Sequence, residues 1–299
     1  VAIDPRVPLV PKVLAAARAL EVRARRSVRE GLGGRWRSGL RGAGIEFAEV
    51  REYVPGDDAR TLDWNVTARV GRLTVKRFDE EREQTLLFVV DLSRSCLLGG
   101  GQRPWRDAAA ELVATAGCAA AQSGDRCGLV LATDRVERIV APRHGTNHAL
   151  ALAAEVLAHA PAGTRSEPQR VARELLRLRT RPALLFWITD GADAWATESL
   201  AEVAARHDLV LSLLRGPWAD PPRAGAVRFA DPESGAVRVV DLGDARVHAE
   251  LARRVAQARA EVASLARRVR ADAIEFTVDA PPAAPLAEWC RRRARERPR

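Results

Sequence analysis

"TLLFVVDLSRSC", Thr85 to Cys96, runs without a polar side chain from Leu86 to Val90 and then sets Asp91, Ser93 and Ser95 at alternating positions. A short, continuously apolar run is the mark of a strand covered on both faces, as in a parallel sheet. Three small oxygen-bearing side chains where such a strand ends can be read in two ways. They are a polar loop that caps the next helix, or they are hard ligands gathered for a divalent cation.

Working outward, the pattern stays regular. Helix Trp105–Gln122 is predicted after the first strand, then strand Cys127–Thr133 and a short antiparallel strand Val136–Ala141. Helices Asn147–His159 and Pro168–Leu178 lead to strand Ala183–Asp190, helix Thr197–Arg206 and strand Leu209–Leu214. A polar hairpin (Val227–Asp241), a long helix (Arg246–Arg270), strand Ile274–Val278 and a basic helix complete the chain. Apolar strands alternating with helices predict a doubly wound, mostly parallel α/β sheet of Rossmann type. Before it, Pro11–Glu30 has helical spacing, Gly31–Trp36 breaks it, and Gly44–Phe78 is irregular, with a turn at Pro55–Asp58. The expected division is residues 1–83, a helical and irregular or β extension, and residues 84–299, the α/β domain with its C-terminal helices.

Charge is uneven. Residues 1–43 hold ten Lys and Arg against three Asp and Glu, and residues 251–299 hold twelve against six, around a slightly acidic middle. Basic ends of this kind attract nucleic acid or acidic lipid headgroups. Aromatic residues for base stacking do not interleave with these arginines, which argues against nucleic acid. No run approaches the ~18 apolar residues of a membrane span, and no apolar leader block opens the chain. Four cysteines without a CxxC pair fit reduced, buried thiols. The expectation is a soluble, cytoplasmic protein, with peripheral membrane contact allowed.

Ligands of open α/β sheets bind beyond the carboxyl ends of the strands. Asp91, Ser93 and Ser95 leave one such end, Asp190 leaves another in "ALLFWITD", and Thr164 in "PAGTRS" lies between two helices that can fold over the same edge. Oxygen donors of this kind suit Mg2+. The ordered set D-x-S-x-S, Thr, Asp resembles the metal-ion-dependent adhesion site of von Willebrand factor A domains. That resemblance implies Ser93 and Ser95 as direct ligands, Asp91, Thr164 and Asp190 as direct or water-mediated ones, and a position left open for a partner's carboxylate. Thr146 is a second choice for the third loop. A phosphatase with a D-x-D nucleophile is disfavoured by Ser93 and by lysines only at positions 12 and 76. A serine hydrolase lacks its G-x-S-x-G elbow. His144 and His148 have a metal-ligand spacing but no third nitrogen or sulfur ligand.

The stretch from Gly44 to Glu83, "GIEFAEVREYVPGDDARTLDWNVTARVGRLTVKRFDEERE", closely resembles the signature of the domain-of-unknown-function 58 family. Its matching residues include Arg51, Tyr53, Pro55, Gly56, Asp57, Asp58, Arg60, Asp63 and Trp64. The resemblance implies a von Willebrand A-like domain and a MoxR-type AAA+ ATPase as partner. It departs from the family at Cys96, where methionine is usual, and at Arg165, where aspartate is usual. From the residues themselves, Pro55-Gly56 makes a turn, Arg60 and Asp63 are near enough to pair, and Trp64 is expected as a buried anchor. An acidic site of Asp57, Asp58 and Asp63 is the functional alternative.

The reading that results is a metal-dependent protein–protein interaction module, an adaptor or scaffold rather than an enzyme, holding Mg2+ or another divalent cation. It captures an acidic side chain of a protein that the ATPase then remodels. The alternatives are a metal-dependent phosphohydrolase and a basic nucleic-acid or membrane-surface binder.

Overall fold

In the computed structural model, residues 11–36, 49–54, 57, 62–77, 83–97, 103–178, 181–191, 196–216, 224–230 and 236–296 are described. The chain opens with helix α1 (Pro11–Ser27), which continues through a π-helical turn (Val28–Leu32) and a last turn to residue 36. Gly31, at φ 108°, makes the kink that the glycine-rich stretch predicts, yet the helical path resumes beyond it. Next come β1 (Glu49–Glu52), α2 (Trp64–Val70) and β2 (Thr74–Arg77). The main domain follows as β3 (Thr85–Asp91), α3 (Arg94–Leu97), α4 (Trp105–Gln122), β4 (Arg126–Ala132) and β5 (Val136–His144). Then α5 (Thr146–Ala158), α6 (Pro168–Arg177), β6 (Leu184–Thr189), α7 (Thr197–Arg206) and β7 (Asp208–Arg215). The hairpin β8 (Ala226–Ala230) and β9 (Val237–Asp241), helix α8 (Ala245–Arg268), β10 (Asp272–Thr277) and α9 (Ala283–Glu296) end it.

Six strands form the central sheet in the order β10-β7-β6-β3-β4-β5, all parallel except β5, which runs against β4. The fold is a Rossmann-like α/β arrangement. Strand β3 is central, with Val90 opposite Leu131 on one side and Ile188 on the other. Its alternation divides the core. Leu86, Phe88 and Val90 face a cluster with α1, α4, α5 and α9, while Leu87 and Val89 face one with α6, α7 and α8. The chain leaves β3 towards β4 and returns to β6 on its other side, so the switch in strand order lies at β3, where such sheets form crevices.

Helix α4 is buried along almost its whole length because α1 covers its outer side. Its small residues permit that: a Cβ on Gly117 would stand 2.9 Å from the Cβ of Ala149. Glu111, buried in this helix, is met by Arg23 of α1 at 3.0 Å and by Arg103. Trp36, at the end of α1, is fully buried against Phe186 and Trp289, with ring centroids 6.1 and 5.9 Å away. The first and last helices of the described chain therefore meet over one face of the sheet. Among the described residues no helix is long and apolar enough to cross a membrane.

The described residues of the signature segment are more regular than their irregular pattern predicts. Strands β1 and β2 pair antiparallel, with Arg51 opposite Val75, and Tyr53 N–H extends the ladder to the Leu73 carbonyl. Trp64 corrects an expectation: it is not a buried anchor but 66% exposed. Asp63 caps α2, accepting from the N–H groups of Asn65 and Val66 at 3.0 and 3.2 Å, and this places Trp64 at the first helical position, facing outwards. The inside is polar instead. Asp63 N–H bonds the Thr74 carbonyl, and the Thr67 and Thr74 hydroxyls lie 3.0 Å apart. Asp57 accepts from Val54 N–H at 2.9 Å, so Asp57 and Asp63, the described members of the Asp57, Asp58 and Asp63 set, both serve the backbone. Pro55, Gly56, Asp58 and Arg60, and with them the Arg60–Asp63 pair, lie outside the described residues.

Asp63→Ala is expected to cost this unit about 1–2 kcal/mol through the lost cap, and Trp64→Ala less than about 0.5 kcal/mol. Hydrogen exchange at Tyr53, Val66 and Thr67 reads this local stability. Equal losses in both variants would contradict the capping account.

Candidate functional site

Strand β3 ends at Asp91, which is buried beside Ala132 of β4. Its carboxylate is held from two directions. Oδ1 accepts from Ser93 N–H at 2.8 Å, an Asx-type turn that reverses the chain into α3. Oδ2 accepts from the Ser166 hydroxyl at 2.8 Å. The Ser93 and Ser95 hydroxyl oxygens lie 3.2 Å apart, and Ser93 Oγ–H donates to Cys96 Sγ at 3.7 Å. Ser93 is fully buried, and Ser95 is half-buried.

Asp190 follows the last residue of β6 and reaches the same place through Cys96. The buried Cys96 thiol is pushed well above its ordinary range, first by burial and then by the charges of Asp91 and Asp190. The backbone N–H of Asp190 and the Ser93 hydroxyl oppose that rise. Cys96 is therefore a buried, neutral thiol, inert as a nucleophile. The carbonyl of Asp190 also accepts from Arg215 at 3.5 Å.

Thr164 comes to this edge by its main chain: its carbonyl accepts from Arg94 N–H at 2.9 Å, while the residue itself is exposed, as is Arg165. The loop is fixed from below. Glu137 of β5 accepts from Thr133 Oγ1 at 2.6 Å, from the N–H groups of Ala162 and Gly163, and lies 2.8 Å from His159 Nε2. Burial alone would raise its pKa, but these hydrogen bonds outweigh burial and bring it down from the ordinary 4.5 to about 2. Gly163 sits so close to Thr133 that a Cβ would stand 2.2 Å from its hydroxyl oxygen. Ser166 and Glu137 were not visible to sequence reasoning, because neither falls at a spacing that singles it out.

The two histidines go to different partners. His144 Nε2 accepts from Arg126 Nε at 2.9 Å, and His148 Nε2 lies 2.9 Å from the Cys127 carbonyl. Among the described residues no group of three His, Cys, Asp or Glu is placed to hold a metal. The candidate set at β3 falls outside that description because most of its donors are hydroxyls. Its chemistry suits a hard cation. Two neighbouring ligands of an octahedral Mg2+ at about 2.1 Å stand about 3 Å apart, close to the 3.2 Å between Ser93 and Ser95.

This chain belongs to the DUF58 family, whose profile, described as a protein of unknown function, matches residues 49–261. It is 31% identical over 274 residues to uncharacterized proteins of Mycobacterium tuberculosis and Mycobacterium bovis, covering 90% of this chain and 86% of theirs. Among solved structures it is similar to the conserved hypothetical protein BatB of Bacteroides thetaiotaomicron (10% identity, TM-score 0.45, 71% of this chain and 99% of that one). A second is an aerotolerance-related membrane protein of Bacteroides fragilis (14% identity, TM-score 0.46, 72% and 100%). Likenesses this distant say nothing of activity.

The depressed Glu137 pKa gives stability that is complete above the ordinary value of 4.5 and is lost as pH falls towards 2. Glu137→Gln is expected to cost about 2–3 kcal/mol at pH 7, with the gap to wild type closing between about pH 5 and pH 2.5. Denaturant unfolding across that range checks it, and parallel pH profiles would contradict it.

Proposed function

We propose that this protein is a metal-dependent interaction module with a von Willebrand A-like domain, in which the end of β3 takes an acidic group from another protein. The observation that carries this reading is the Ser93–Ser95 hydroxyl pair, 3.2 Å apart, beside an Asp91 held on both oxygens. Ser93 and Ser95 would hold a Mg2+ directly, and Asp91 and Asp190 would balance its charge. Ser166 and the Thr164 loop set the rim of the site. When bound, the cation supplies a Lewis-acidic position that prefers a carboxylate oxygen. Ser93 N–H and the Ser166 hydroxyl keep Asp91 from swinging away, so the donors are prepared before any ligand arrives.

A partner caught in this way would be passed to a MoxR-type AAA+ ATPase, the part of the reading that rests on family resemblance alone. Arg165 and Arg94, both exposed at the rim, add positive charge that favours an acidic partner.

Crosslinking in cell extract with Mg2+ and again with chelator tests the reading. The expected result is a set of proteins captured only with Mg2+ and lost in Asp91→Ala, whose thermal unfolding stays within a few degrees of wild type. Capture indifferent to chelator, or an Asp91→Ala chain that no longer folds, makes Asp91 a structural cap and ends this reading.

A further inference from the structure

The basic terminal helices have no part in the strand-end site, yet the fold brings them together. Helix α1 is the outermost layer on its side of the sheet. Leu20, Ala24, Val28, Leu32 and Trp36 point inwards, and Arg18, Val22 and Arg29 lie exposed on the other side. Helix α9 covers the same sheet face with Leu286, Trp289 and Cys290, and Arg291, Arg292 and Arg295 are its exposed cations. The helices meet where Trp36 packs on Trp289. There a shallow cleft of about 160 Å³ is lined by Arg35, Arg291, Gly34, Cys290 and Ala294. Burial pushes the Cys290 thiol up to about 12, while the charges of Arg293, Arg291 and Arg35 pull the other way.

Of the four described acids on these helices, Glu21 and Glu30 are paired with Arg25 and Arg26, and Glu288 and Glu296 are exposed on α9. Glu111 of α4 pairs with Arg23 and Arg103. Among the described residues Arg18, Arg29 and Arg35 on α1, and Arg291, Arg292 and Arg295 on α9, have no ion-pair partner.

We propose that this two-helix face docks on an anionic phospholipid surface, with a headgroup phosphate between Arg35 and Arg291. Arg18 to Arg29 spans ~16 Å along one helix, a stripe suited to a plane of charge. Val22, 68% exposed, stands in the middle of it and costs less against a bilayer interface than in water. Nucleic acid fits less well. The tryptophans of both helices are buried rather than free to stack on bases. Arginines near an anionic bilayer each add to binding, and the effect is screened by salt.

The test is co-sedimentation of the full chain with vesicles of phosphatidylcholine alone or with added phosphatidylglycerol, at low and high salt, in chelator throughout. Chelator keeps the outcome separate from the cation reading. The expected result is binding to phosphatidylglycerol vesicles only, weakened by salt. R35Q with R291Q should reduce it roughly twenty-fivefold, from about fivefold per arginine, without altering thermal unfolding. Equal amounts of inorganic phosphate should not displace the protein. Binding to neutral vesicles as strongly, no binding to either, binding undiminished in the double variant, displacement by free phosphate, or preference for duplex DNA would each overturn the proposal.

Discussion

Asp91 ends a strand buried on both faces while itself remaining buried, and its carboxylate is the constraint on which the candidate site depends. β3 spends its backbone groups on β4 and β6 and its side chains on the two cores. A charged group can end such a strand only if its oxygens find donors. Ser93 N–H and Ser166 Oγ provide them, one from the loop that leaves β3 and the other from the loop that precedes α6. The same two bonds tie both loops to one point. The Glu137 network beneath then holds the second loop in place.

Much of this was legible in the sequence, for reasons that differ between elements. β3 and β6 were clear because a short, uninterrupted apolar run between polar turns fits little besides a strand buried on both faces. α4 was clear because its small residues keep helical spacing over eighteen positions. The Asp91-x-Ser93-x-Ser95 cluster was visible because its spacing is local. Ser166 and Glu137 were not, because their significance comes from contacts that cross the chain. Trp64 misled for a related reason. A large aromatic residue reads as core, but position within a capped helix outranks hydrophobicity when the cap fixes direction, and Asp63 fixes it. The β1–β2 pair was hidden by its charged residues, which suit a small two-stranded unit with little core to face.

The terminal helices show the same limit at larger scale. Composition revealed two basic ends, but not that Trp36 and Trp289 would meet or that the charges would share a face. Arg293 shows how closely that end is fixed. It bonds Asp208 and Asp272 at the starts of β7 and β10 and lies over the Trp289 ring at 4.8 Å. A buried guanidinium with two carboxylates is costly to break, so α9 and its exposed arginines are held firmly on the sheet.

The donors at the end of β3 either hold a cation or serve only the surrounding backbone. Titration with Mn2+ followed by electron paramagnetic resonance measures this without any partner. One Mn2+ per chain is predicted, displaced by Mg2+, with affinity falling at least tenfold in Ser93→Ala and Ser95→Ala while circular dichroism is unchanged. A folded wild-type chain that leaves all the Mn2+ free, or serine variants that bind it as well as wild type, would contradict the account.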